Sequence, residues 1–250
     1  MKSTITAILI IITNTGIAQL SLIPNKNSFE KKWIKTETYE MQWFALKDTT
    51  RIEIGVVSTH IQSDKKYISI VTEVKMKNAK APWFDTTIAN RRTLKPIRHS
   101  SYNSQRDMAI NFDKIITGFY HDKIKQQHYF INDTTSAAYF DSNLYPALIT
   151  WLPLKEGYKQ DISIYDYNPS GKTGVIRAFV KNVTSGTYLT NSSVIMHVWI
   201  VTVSDEISSN ENNFMTYYID KNDRKLWKQE IHVEGRRMVM LRKEEGKQLR

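Results

Sequence analysis

The chain has 250 residues, with 35 Lys and Arg against 25 Asp and Glu, and no cysteine. That length makes one large domain or two small ones, and it can bury a core without metals or disulfides. The missing cysteine excludes disulfides, thiolate zinc sites, thiol chemistry and a lipidated N-terminal Cys, while a net charge of +10 favours anionic partners.

Met1-Lys2-Ser3-Thr4 begins the chain with a positive charge, Ile5 to Ile12 form a compact apolar run, and Gly16-Ile17-Ala18 puts small residues before Gln19. These are the three parts of a secretory signal peptide. The run is too short for a bilayer, which takes about 20 apolar residues. We therefore expect a cleaved signal over 1–18 and a single β-rich domain over 19–250, exported and soluble. Losing Lys2 with the leader leaves a charge of +9.

Period-2 alternation dominates the rest of the chain. Tyr39, Met41, Trp43 and Ala45 share one face of a strand against Thr38, Glu40 and Gln42. Arg51 to Ile54 begin a second strand, and Ile68, Ile70, Val74 and Met76 mark a third. Residues 79–92 are less regular, and Pro82 breaks them. Strands are expected at 94–102, 108–112, 115–120 and 125–131, with Asp113-Lys114 as a tight turn. Segment 141–154 departs from the pattern: Leu144, Leu148 and Trp151 share a helical face, Asp141 or Ser142 can cap it, Pro146 suits its first turn and Pro153 stops it. One short amphipathic helix over 143–151 is expected. Strands resume at 158–167, 175–183, 194–204, 214–220, 226–233 and 237–241, with turns at 168–171, 185–187, 220–225 and 234–235. Residues 194–203 are apolar on both faces and read as a central strand covered on both sides. So many antiparallel strands must close or cover their edges. The expected fold is all-β, a curved antiparallel sheet or incomplete barrel, with the helix on its concave side.

Catalytic motifs are missing. Gly171-Lys172-Thr173 resembles the end of a phosphate loop, but Asp166 stands where the pattern needs Gly, so a hairpin turn is the reading. No Ser sits in a G-x-S-x-G elbow. His60, His99, His121, His128, His197 and His232 show no metal-ligand spacing, although His121 and His128 fall on neighbouring strands and can meet. His197, on the strand read as buried, is taken as a core histidine. The acceptor triplets at Asn132, Asn182 and Asn191 are taken as chance matches. No catalytic residue, metal or cofactor is expected. Aromatic strand residues either fill a solid core or line an apolar hollow.

Segments 140–167 (FDSNLYPALITWLPLKEGYKQDISIYDY) and 217–239 (YYIDKNDRKLWKQEIHVEGRRMV), with Thr93 to Arg98, form a pattern that resembles the bacterial domain-of-unknown-function 3108 family. The resemblance implies export, to the periplasm of a Gram-negative bacterium. It also implies a shape similar to the LolA and LolB lipoprotein carriers, with an apolar cavity facing lipid. The family supplies no functional residues to carry over.

The function expected is binding of an apolar or acyl-chain ligand in the concave face, without catalysis. The residues expected to line it are Met41, Trp43, Phe119, Phe130, Trp199, Tyr217 and Trp227. The basic stretch Arg236, Arg237, Arg242, Lys243, Lys247 and Arg250 is expected to touch an anionic membrane surface; nucleic acid is not expected. The alternative is a structural or protein-interaction module of the cell envelope, with a filled core.

Overall fold

A computed structural model describes residues 20–244, apart from 49, 208, 209 and 211. The expected leader over 1–18 lies outside them, as do Lys247 and Arg250. The alternating segments become strands β1 (Glu37–Lys47), β2 (Thr50–Ser63), β3 (Tyr67–Met76), β4 (Trp83–Asn90), β5 (Pro96–Tyr102), β6 (Arg106–Phe112), β7 (Ile116–Asp122) and β8 (Gln127–Asp133). After the two-residue β9 (Phe140–Asp141) and the helix α1 (Tyr145–Trp151) come β10 (Gln160–Asp166), β11 (Gly174–Leu189) and β12 (Ile195–Asp205). The last three are β13 (Phe214–Asp220), β14 (Leu226–Val233) and β15 (Arg236–Arg242).

All 15 strands form one curved sheet. Its order runs from β8 back to β1, crosses to β15, and runs back again to β9. Neighbours are antiparallel except β9 and β10. The crossing pairs Met41 with Arg242 and Leu46 with Arg237. The sheet ends at β8 on one side and β9 on the other, so the barrel stays open. Side chains bridge the seam. Buried Tyr165 of β10 meets the Phe112 ring edge-on at 5.6 Å and the Tyr139 ring at 5.2 Å, and its hydroxyl donates to Asp133 Oδ2 of β8 at 3.1 Å.

The core occupies the concave side. Ile68 and Ile70 of β3, Phe140 of β9, Ile162 and Ile164 of β10, and Val201 of β12 face α1 across it. Tyr145, Leu148, Ile149 and Trp151 are the buried residues of α1. Pro146 falls in the first turn, where its missing N–H breaks no helical bond. Leu144 caps the helix with no side-chain bond, and Asp141 serves elsewhere.

Three expectations need correcting. Residues 83–90 are a regular strand, because Pro82 precedes it and removes no ladder donor. The turn expected at 185–187 lies inside β11, where Gly186 pairs with Val198. A Cβ there would stand 2.5 Å from Ile200 Cδ1, so the Ile200 side chain would have to turn aside to admit one. β12 is central in pairing, with β11 and β13 beside it, yet Ile195 and His197 are exposed. Its outer face meets solvent at that end, so His197 is not a core histidine. The buried one is His99, on β5.

Candidate ligand cavity

α1 does not fill the concavity completely. Between it and strands β1–β3 and β13–β15 lies a cavity of about 250 Å³. Met41, Ile61, Ile70, Pro146, Leu226 and Met240 give it apolar walls. Tyr145 and Tyr217 add ring surface, and their hydroxyls point to protein partners: Tyr145 donates to Asp205 Oδ2, and Tyr217 to Met215 Sδ at 3.6 Å. Burial pushes both phenols well above the ordinary tyrosine range, so both stay neutral. The charged residues of the wall are Glu37 and Arg224. Arg242 holds Glu37 at 3.6 Å, and Glu30 meets Arg224 at 3.4 Å.

A buried polar network adjoins this wall. Asn143, itself a wall residue, donates to Thr87 Oγ1 at 3.1 Å. Thr87 donates to Asp141 Oδ2, and Asp141 Oδ1 meets His99 Nδ1 at 2.8 Å. Burial alone pulls the imidazole pKa down, but the charge and hydrogen bond of Asp141 outweigh it, helped by Asp85, and the net direction is up. The pair is thus an ion pair when His99 is protonated. Nearby, burial raises Asp166, against the Ser142 hydroxyl that donates to it at 2.7 Å. No group of three or more metal-ligating residues among the described ones could hold an ion.

Of the residues expected to line a ligand, Met41 and Tyr217 fall in the wall of this cavity. Trp199 packs against the concave core with Lys221 Nζ 4.1 Å above its ring. Trp43 is half-buried and stands outside the cavity wall. Trp227 lies on the other face of β14, stacked on Tyr188 at 6.0 Å beside an outer cleft of about 730 Å³. Phe119 and Phe130 point away from the concavity as direct cross-strand partners; Phe130 is 91% exposed. The reason is strand parity. Ile116 and Ile131 turn inward on β7 and β8, which sends residues 119 and 130 outward. His121 and His128 meet as anticipated, stacked at 3.9 Å. Among the wall residues missed from sequence, Asn143, Tyr145, Arg224 and Gln229 sit in the helix start, a charged turn and a strand. Only Tyr145, next to the helical face at 144, 148 and 151, left a local signal.

An open sheet of this kind, curled around a helix, defines a β-barrel-like protein. The model of the family described as "Protein of unknown function (DUF3108)" matches residues 38–244, and the chain belongs to that family. It is also similar to the crystal structure titled beta-barrel-like protein of domain of unknown function DUF1849, from Brucella abortus. The two are 9% identical, the likeness covers 90% of this chain and 97% of the other, and the TM-score is 0.50, which speaks for the fold alone. Among curated proteins nothing matches.

Proposed function

We propose that the protein is an exported, non-enzymatic binding protein that takes a small apolar ligand into the cavity beneath α1. The observation that carries this reading is the hollow of about 250 Å³ with largely apolar walls. An apolar hole of ~150 Å³ already accepts benzene, and ligand pockets usually begin near 300 Å³. The space suits one ring or a short acyl segment, and a whole long chain exceeds it. The wall carboxylate, Glu37, is held by Arg242 at 3.6 Å, and the Tyr145 and Tyr217 hydroxyls are spent on protein partners, which supports binding over catalysis. Export is supported by the leader pattern over 1–18. No described helix is long and apolar enough to cross a membrane. Contact with an anionic membrane, part of the same proposal, draws on exposed Arg237 and on Lys247 and Arg250. Arg236, Arg242 and Lys243 already pair with Glu234, Glu37 and Glu40.

Burying the five methylenes of 1-hexanol is worth about 4 kcal/mol, which corresponds to millimolar affinity. NMR titration with 1-hexanol and toluene is therefore expected to shift resonances around α1 saturably. Ala147, a small wall residue, offers the control: Ala147→Phe fills the hollow and is expected to abolish the shifts. Equal responses from both proteins, or none from either, would refute the reading. A second reading, an interaction module, is favoured by one observation: the exposed Phe119–Phe130 pair at the free edge of the sheet.

A further inference from the structure

Seven buried side-chain polar atoms among the described residues have no hydrogen-bond partner, and three of them belong to Arg224 and Arg242. Buried donors are almost always satisfied, so orphans on a guanidinium call for an explanation. Arg224 is the more informative. Its side chain is only 6% exposed and it lines the cavity. It sits at φ 64° in the turn between β13 and β14, a left-handed conformation that non-glycine residues seldom adopt.

Its environment is half complete. The guanidinium lies 4.9 Å from the Trp33 ring, and Nη2 donates to Glu30 Oε2 at 3.4 Å. That bond is long for a charge-assisted one, which runs about 2.7–2.9 Å. The same carboxylate oxygen accepts a much shorter bond, 2.6 Å, from Trp33 Nε1, and Lys32 approaches Glu30 at 3.3 Å. Nε and Nη1 of Arg224 are left with nothing. The cavity therefore has largely apolar walls and one buried cation, two of whose guanidinium nitrogens have no acceptor. Its acidic wall residue, Glu37, is held by Arg242.

We propose that the ligand carries a carboxylate and that Arg224 binds it, its hydrocarbon part filling the apolar hollow. This rests on the cavity reading above and adds the chemical class: a short-chain or single-ring carboxylic acid. A monoanion is favoured over a phosphate dianion because one cation is available and Glu37 shares the wall.

The test compares hexanoate with 1-hexanol by NMR titration of the full chain. Wild type is expected to prefer hexanoate by about tenfold or more, the usual worth of a hydrogen bond to a charged group. Arg224→Gln is expected to erase the preference, so that hexanoate binds no more tightly than 1-hexanol to the variant. Should that variant fail to fold, Glu30→Gln serves instead. Removing the competing carboxylate is expected to tighten hexanoate several-fold and leave hexanol unchanged. Hexanol binding without preference for hexanoate would overturn this proposal and leave the cavity reading standing. Silence from both probes would overturn both.

Discussion

Asp141→Leu is expected to cost about 3–5 kcal/mol of folding stability, the usual penalty for stripping one partner from a buried ion pair. Asp141 is fully buried and holds three groups: the His99 imidazole at 2.8 Å, the Thr87 hydroxyl and the Asn143 amide N–H at 3.2 Å. Leucine fills a similar volume but leaves His99 and Thr87 without an acceptor. Urea denaturation measures the loss as a lowered midpoint with an unchanged slope. Adding His99→Leu is expected to recover much of it, because replacing both partners by apolar groups removes the orphaned polar atom. A loss below about 1 kcal/mol in the single variant would show that the pair is not a structural tie. The same pair sets a pH dependence. His99 titrates above its ordinary 6.5 in the folded chain. Its contribution is full below 6.5 and is lost as the pH rises through the higher folded value. Wild-type stability is thus expected to fall across that window, and Asp141→Asn, which removes the charge that lifts His99, is expected to flatten the fall.

The second large effect belongs to the seam. Tyr165→Ala is expected to cost about 3–5 kcal/mol, as for truncation of a large buried aromatic. It removes the ring that touches Phe112 and Tyr139 and the hydroxyl that reaches Asp133. Tyr165→Phe keeps the ring and is expected to cost about 1–3 kcal/mol for the bond to the carboxylate. Amide hydrogen exchange should show the difference in place: protection is expected to fall along β6–β8 in the alanine variant and to stay near wild type in the phenylalanine one. If exchange rises evenly across the sheet, Tyr165 is an ordinary core residue and not the bridge across the gap.

The strands were legible because alternation of apolar and polar residues is a local property, and so was the helix, through Pro146 and the spacing of Leu144, Leu148 and Trp151. Which face of each strand becomes concave is not local. Phe119 and Phe130 look like core residues by type, yet Gly118 and Ile131 hold the inward positions opposite each other. Asp141 reads as a helix cap because its best partner, His99, lies 42 residues away in the chain. Arg224 is hidden still better. In the run DKNDRK it looks like a solvated turn, and nothing nearby announces that Glu30, 194 residues away, folds over it together with Trp33. Cavity walls are assembled from such distant pairs, so the chemistry of the site stays out of reach until the sheet is curled.

The pairing order also bears on how the chain reaches this state. Nearly every strand pairs with its neighbour in sequence, and the exception among the long strands is the β1–β15 junction. Neighbouring hairpins close short loops and form early, whereas that single junction must wait for the last strand. Glu37 and Arg242 stand 3.6 Å apart at the free ends of these two strands. A circular permutant that links residue 244 back to residue 20 through a flexible linker, keeping Phe29, Ile34 and the Glu30–Arg224 pair, and opens the chain between β8 and β9 would turn the slowest contact into a more local one. Its refolding should then outpace that of the natural order.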